Sequence, residues 1–209
     1  MRPTLTASDL FSSRGRVDVL RVLWGVKVPL TAADVARRVR MTHPGATGIL
    51  RSLVDYGLVS SSPAGRGHTY WLNRDNVYVD SMLDPVFAAE HEIPEEMLEA
   101  LRLEFEGRGA ISAMLFGSFA RGDQDEDSDV DVMVVTPNLD SKARIERELP
   151  SIRDAFARTF GASLEVIAYD RDEARQLSDR APELFDSVVR DGVCVFGLGV
   201  TEWGSRGAE

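Results

Sequence analysis

The sequence has 209 residues, of which 44% are hydrophobic and 28% charged, and its formal net charge is −10. This length allows one large domain or two small ones, and the composition is that of a soluble globular protein. No apolar run approaches the roughly 20 residues that a membrane helix needs, and no secretory signal is visible. The single cysteine, Cys194, cannot form an internal disulfide, which fits a reducing compartment. Together these features predict a cytoplasmic protein with no membrane partner.

The charge is divided unevenly along the chain. Residues 1–75 carry eleven of the 24 Lys and Arg side chains but only five of the 34 Asp and Glu. Two modules with different partners are therefore expected. The basic first part could bind polyanions, whereas the acidic second part would repel nucleic acid unless metal or local basic groups intervene.

The first 75 residues have the pattern of helices followed by a hairpin. Apolar side chains at helical spacing predict three helices, at 14–26, at 31–40 behind the cap Thr31, and from the cap Thr42 to near Gly57. Extended segments at 57–60 and 68–72 flank a glycine-rich turn at 63–67.

This order of elements is similar to that of a winged helix-turn-helix. Residues 30–39 resemble the first helix of that motif in bacterial regulators of the MarR and ArsR type. Residues 42–53 resemble the recognition helix, and residues 53–59 resemble its exit into the wing. The resemblance covers about residues 10–75 and implies binding to double-stranded DNA.

Four side chains are candidates for the DNA contact. His43, Thr47 and Arg51 recur at a spacing of four, which gives one helical stripe that could face a major groove. Arg66, at the tip of the predicted wing, could reach a minor groove or a phosphate. The alternative is that these are solvated surface groups, or that the module binds protein; the positive charge of residues 1–75 favours DNA.

Residues 76–108 connect the two halves. Their apolar pattern predicts a helix over 76–90, which Pro85 would kink or restart, and another over 92–106. The second helix has an apolar stripe that needs a partner, either another copy of the chain or the second half of the same chain; it comprises Leu98, Leu101 and Phe105. We expect a homodimer, because a single winged helix reads only a half-site.

The second half contains strands and helices in mixed order. Apolar runs predict strands at 111–116, 130–135, 162–169 and 193–196. Helical patterns lie at 142–160, at about 171–178 and at 182–191, and Pro150 predicts a break or kink in the first of these. A polar tail follows at 200–209.

Two short motifs in this half carry the chemistry. Asp129 and Asp131 open the second strand, where side chains at i and i+2 point to one face and could share a hard cation such as Mg²⁺ or Mn²⁺. Before them, Gly117 allows the backbone to approach a phosphate closely, and Ser118 with the following N–H groups could donate to its oxygens. Arg121 could add a positive contact.

The two motifs together, with Arg-Gly between them and a strand on each side, resemble the minimal nucleotidyltransferases of the DNA polymerase beta superfamily. The resemblance covers about residues 93–197. It implies that Gly117 and Ser118 contact the phosphates of a nucleoside triphosphate, and that Asp129 and Asp131 bind metal.

In that family a third acid from a later strand helps to bind metal and to activate the attacking hydroxyl. Glu165 stands at the matching position, where the family usually has aspartate. The extra methylene would move the carboxylate by about a bond length or more. Asp170, at the end of the same strand, is the other candidate, and a helix N-cap is its simpler interpretation.

These features predict an α/β (α+β) fold with a winged helix-turn-helix at 1–75, a helical linker at 76–108, and a nucleotidyltransferase domain with a mixed sheet at 109–199. The predicted function is metal-dependent transfer of a nucleoside monophosphate from a triphosphate to a hydroxyl, coupled to DNA binding. The acceptor could be a protein side chain, a small molecule or an RNA end. Related minimal enzymes often act as antitoxins paired with a toxin protein, which the resemblance permits. The alternative is a non-enzymatic transcriptional regulator whose second domain senses nucleotide or dimerises.

Overall fold

The structure is a computed structural model that describes residues 4–65, 67–123, 128–199 and 202. The chain divides into two compact units, Met1–Ile93 and Pro94–Glu209. The division falls within one helix, Asp84–Glu106. Residues 76–108, the predicted linker, therefore contribute side chains to the cores of both units.

The first unit contains helices and a small antiparallel sheet. The sheet has the strand order β1-β3-β2, and both of its pairs are antiparallel. The elements are α1 (Ala7–Leu10), α2 (Arg14–Trp24), β1 (Leu30–Thr31), α3 (Ala32–Arg38), α4 (His43–Asp55), β2 (Val59–Ala64), β3 (Gly67–Leu72), a π-helical turn (Val79–Leu83) and the start of α5 (Asp84–Glu106). The three helices and the hairpin predicted for residues 14–72 are all present.

Side-chain caps fix where the helices of the first unit begin. Ser13, Thr31 and Thr42 each accept a hydrogen bond from the third backbone N–H of the helix that follows. Thr31 also forms a capping box with Asp34, so two backbone donors are satisfied at that end. The caps predicted at Thr31 and Thr42 are confirmed, whereas α1 and β1 were not predicted, because each is too short to show a period.

The core of the first unit extends beyond residue 75. Val79, Leu83 and Phe87 are fully buried among the apolar side chains of α2, α4 and the sheet. The Trp24 indole N–H donates to Asp84 at 2.7 Å, and the guanidinium of Arg21 donates two hydrogen bonds to Glu90, at 2.6 and 2.9 Å. The start of α5 thus belongs structurally to the first unit.

We expect Phe87→Ala to destabilise the first unit by about 3–5 kcal/mol, because it removes a fully buried aromatic ring and leaves a cavity. Trp24 lies 5.8 Å from the Phe87 ring centroid, so tryptophan fluorescence during urea unfolding reports the change. Val86→Ala, on the same helix but at a position that is 41% exposed, is the matched control. Equal unfolding midpoints for the two variants would show that residues after 75 are not part of this core.

The second unit is built on a mixed four-stranded sheet. Its order is β6-β5-β4-β7, in which β5 and β6 are parallel and the other neighbours antiparallel. After α5 the elements are β4 (Ser112–Phe116), α6 (Gly117–Arg121), β5 (Val130–Thr136), α7 (Leu139–Phe160), β6 (Leu164–Asp170), α8 (Arg171–Arg175), α9 (Leu177–Arg180), α10 (Pro182–Asp191) and β7 (Val193–Phe196). The mixed sheet predicted from the sequence is confirmed.

Helices cover both faces of this sheet. Val130, Val132 and Val134 of β5 pack with buried side chains of α5 and α7. Met133 and Val135 alternate with them and pack against α8, α9 and α10 on the other face. Because neighbouring side chains on a strand point to opposite faces, Asp131 lies on the same face as Met133.

Prolines interrupt the helices less than the sequence suggested. Of the break or kink expected at Pro150, the break does not occur, since α7 runs through this residue, and the kink stays a prediction. The helix α5 likewise runs through Pro94 and joins helices that were predicted as separate. Buried residues before and after Pro150, Ile145 and Ile152, belong to one core, so packing outweighs the lost hydrogen bond. Pro85 lies near the start of α5, which begins directly after the π-helical turn that ends at Leu83.

The apolar stripe of α5 is covered within its own unit. Leu101 and Phe105 are buried in the core with α7, and Leu98 packs against that core. The stripe therefore supplies no separate argument for a homodimer, which stays a prediction. None of the helices in the described part of the chain is long and apolar enough to span a membrane.

Candidate functional site

A close contact between a glycine and an acid forms the centre of the site. β4 ends at Phe116, which pairs with Asp131 of β5, and α6 begins at the next residue, Gly117. Gly117 has φ +75°, and a Cβ built on it would collide with the Asp131 carboxylate. Glycine is favoured here, because φ is positive and because the Asp131 carboxylate rests against the backbone at the start of α6.

The two other predicted acids are neighbours of Asp131. Asp129 lies two residues earlier along the chain, and Glu165 is opposite Asp131 in the parallel register of β5 and β6. Burial raises the pKa of Asp131, and the charges of Asp129 and Glu165 raise it further, while Arg121 acts in the opposite direction. The structure thus brings the three acids of the sequence prediction near one another.

Glu165 already has a cationic partner. Its carboxylate accepts a hydrogen bond from Arg153 of α7, with 2.6 Å between Nη2 of Arg153 and Oε2 of Glu165. Both side chains are partly exposed, at 39% and 53%. Among the residues that the structure describes, no three His, Cys, Asp or Glu side chains are grouped so as to hold a metal ion.

Asp170, the other candidate for the third acid, serves as a helix cap. Its carboxylate accepts hydrogen bonds from the backbone N–H groups of Asp172 and Glu173 at the start of α8. Glu173 in turn accepts from the backbone N–H of Asp170, which completes a capping box. The N-cap interpretation of Asp170 is confirmed.

The predicted phosphate contacts lie on α6. Ser118 is in its first turn and half-buried, and Arg121 is in its last turn. The Arg121 guanidinium forms ion pairs with Asp123 at 3.1 Å and with Asp191 at 3.6 Å. Asp191, whose side chain is only 12% exposed, also pairs with Arg190, so this end of α10 orients Arg121 beside the acids.

Sequence reasoning missed Arg153 and Asp191. Arg153 lies on the helix that precedes β6, and Asp191 lies in the last turn of α10. Neither belongs to a motif, and surface charges on amphipathic helices are ordinary. Only the tertiary structure places them against Glu165 and Arg121.

The stripe predicted for DNA lies on α4. His43 and Arg51 are exposed, and Thr47 between them is half-buried, with its hydroxyl donating to the His43 carbonyl at 2.8 Å. Arg66, predicted at the tip of the wing, falls outside the described residues. Two further exposed arginines that the sequence reading did not single out, Arg38 and Arg40, lie just before α4.

Comparisons with known proteins concern mainly the second unit. Residues 95–187 match the family described as the nucleotidyltransferase domain. A protein of Methanocaldococcus jannaschii named "Putative protein adenylyltransferase" is 40% identical over 88 residues, which are 41% of this chain and 56% of that protein. The chain therefore matches little more than half the length of that relative.

Solved structures with similarity to the chain include two from toxin–antitoxin systems. One, a toxin–antitoxin with AMP-PNP, has 19% identity and a TM-score of 0.38, covering 52% of this chain and 82% of the other. The second, a mutant of the toxin–antitoxin MntA-HpeT, has 14% identity and a TM-score of 0.35, covering 54% and 82%. At these values the structural similarities carry no argument about function.

Proposed function

Because residues 95–187 match the nucleotidyltransferase-domain family, we propose that the protein transfers a nucleoside monophosphate from a nucleoside triphosphate to a hydroxyl group. The observation that carries this proposal is the Asp131 carboxylate lodged against the backbone of Gly117, with Asp129 and Glu165 beside it. This arrangement places backbone N–H groups, which can bind an anion, next to a group of carboxylates. These are the two features that a triphosphate and its counter-cation require.

The reaction is a displacement at the α-phosphorus. The acceptor oxygen forms a new bond to that phosphorus, the bond to the bridging oxygen breaks, and pyrophosphate leaves. The hydroxyl proton passes to a carboxylate of the site or to water. Ser118 and the backbone N–H groups of α6 would hold the phosphates, and Arg121 would face their negative charge.

A divalent metal fits the donors present. Mg²⁺ in such sites takes one or two carboxylates together with phosphate oxygens, so Asp129 and Asp131 suffice without a third acid. When bound, the ion would neutralise charge that develops on the phosphates. Burial, and after it the charges of Asp129 and Glu165, raise the pKa of Asp131, and a bound cation would offset both effects.

The acceptor we favour is a hydroxyl on a protein side chain. The M. jannaschii relative is named for transfer to protein, and the excess of Asp and Glu after residue 75 disfavours a long nucleic acid near the acids of the site. A small molecule and an RNA end are the other acceptors. Incubation with each of four α-labelled triphosphates, Mg²⁺ and cell lysate would distinguish them, because the label would migrate with protein, small molecules or RNA. Absence of transfer with every triphosphate would contradict the proposal.

The first unit, in the same proposal, is a winged helix-turn-helix that binds double-stranded DNA. Its order of helices and hairpin, the exposed stripe of α4, and the nearby arginines Arg38 and Arg40 support this. The excess of Lys and Arg over residues 1–75 would attract phosphates. Two copies of the chain would be needed to read both halves of a palindromic site.

Arg51→Ala in the full chain should weaken binding to a labelled duplex of mixed sequence. Losing one phosphate contact should lower the slope of log affinity against log salt by about one. Arg158→Ala, which removes the same charge from an exposed position on α7, should leave the affinity unchanged. If affinity is independent of salt, or if both variants lose it equally, the first unit does not bind DNA through α4.

A non-enzymatic regulator is the second candidate, and the Arg153–Glu165 ion pair favours it. With the Glu165 carboxylate bound to Arg153, the site would keep two acids for nucleotide but no free third acid to activate a hydroxyl. In that case the wild type would bind metal and nucleotide without transferring label. The transfer assay above separates the two candidates.

A further inference from the structure

Arg153 holds Glu165 through a single hydrogen bond. Nη2 is the guanidinium nitrogen that reaches the carboxylate, and the buried Nε of Arg153 has no partner within the described residues. Arg21, by comparison, uses both Nε and Nη2 to bind the two oxygens of Glu90. Forked pairs of that kind are stronger and more fixed than a single contact. The hydrogen bond between Arg153 and Glu165 is therefore easily broken.

The ion pair between Arg153 and Glu165 affects the site because Glu165 lies next to the proposed metal ligands. The strand register places Glu165 directly opposite Asp131, and its charge is felt there. One carboxylate is thus paired with Arg153 of α7 and lies in register with Asp131 of the site.

We infer that Arg153 is a positioning residue that competes with the bound cation for the Glu165 carboxylate, and so withholds the third acid until metal and nucleotide occupy the site. This rests on the proposed function. Such a competition is possible because the ion pair is half-exposed and so contributes little stability, which keeps the free and bound states of Glu165 close in energy. The longer side chain of glutamate is what lets one carboxylate reach either partner.

The test is Arg153→Gln in the full chain, with Mn²⁺ alone as the first probe and a non-hydrolysable triphosphate analogue with Mg²⁺ as the second, both followed by calorimetry. Freeing Glu165 should tighten binding about two- to fivefold, the range that the strength of an exposed ion pair allows. The added stabilisation by Mn²⁺ in a thermal melt should rise accordingly. Arg153→Lys retains the positive charge and should behave like the wild type.

Two variants separate this effect from a general change of charge. Arg144→Gln removes the same charge from the same helix, where Arg144 lies 3.5 Å from Glu148, and should leave Mn²⁺ binding unchanged. Adding Glu165→Gln to Arg153→Gln should abolish the gain, because the gain depends on that carboxylate.

The possible outcomes distinguish failure of the inference about Arg153 from failure of the proposed nucleotidyltransferase function. Tighter binding in Arg153→Gln that vanishes in the double variant supports the competition. Unchanged binding reduces Arg153 to a structural ion pair, and weaker binding of the nucleotide analogue would make it a direct phosphate ligand; either result overturns the inference while the proposed function stands. If neither the wild type nor Arg153→Gln binds Mn²⁺ or the analogue, both fail together.

Discussion

A variant with Asp129→Asn and Asp131→Asn should lose metal-dependent nucleotide binding by at least about a hundredfold. Loss of supporting residues outside the ligand sphere alone costs roughly 10–100-fold in metal affinity, and here the proposed ligands themselves lose their charge. Transfer of a labelled nucleoside monophosphate should fall to background. Calorimetry with a non-hydrolysable analogue, with and without Mg²⁺, measures the first effect, and gel autoradiography measures the second.

Fold stability should change in the opposite direction from binding. Asp131 is partly buried beside two like charges, so a neutral amide there relieves repulsion. Without metal the variant should therefore melt no lower than the wild type, and it should retain any DNA binding. Asp140→Asn with Asp154→Asn, at two exposed positions of α7, removes equal charge and should alter neither nucleotide binding nor transfer. Equal nucleotide affinity in the wild type and the Asp129/Asp131 variant would exclude a metal–nucleotide site at these acids.

Much of the second unit could be predicted because its signals are local. Each strand of the sheet is an apolar run, and the glycine and two aspartates sit where strands end or begin. The spacing of two between Asp129 and Asp131 predicts a shared face without any knowledge of the sheet, although β5 begins at Val130, one residue after Asp129. Glu165 could be assigned to the site only through a resemblance; the register of β5 and β6 puts it opposite Asp131, and its role as the third acid stays a prediction.

The ion pair between Glu165 and Arg153 could not be predicted from the sequence. Arg153 precedes Glu165 by twelve residues and belongs to another element, so no periodicity connects them. The same holds for Arg121 and Asp191. Long-range charge pairs depend on how helices pack on the sheet, and one-dimensional patterns do not contain that information. Pro150 shows the opposite situation. Proline locally disfavours a helix interior, but the packing of α7 as a whole outweighs that preference and the helix continues.

Gly117→Ala should damage the site directly, through both backbone strain and steric overlap with Asp131. At φ +75° an alanine is strained by about 1–2 kcal/mol. The new Cβ would also overlap the Asp131 carboxylate, which must then turn away from the start of α6. Because that carboxylate is a proposed metal ligand, nucleotide binding should fall about as far as in an Asp131→Asn variant. Calorimetry with the triphosphate analogue and Mg²⁺ measures this loss.

Gly161→Ala separates strain from collision. Gly161 has φ +68°, almost the same backbone conformation, but apart from its chain neighbours no atom of the described residues lies within 4 Å of the position that its Cβ would take. Both variants should therefore melt at a lower temperature than the wild type, since each places alanine in the left-handed region. Only Gly117→Ala should also lose nucleotide binding. If the two variants bind nucleotide equally well once their melting temperatures are accounted for, the contact between Gly117 and Asp131 has no part in the site, and Gly117 is there for the turn alone.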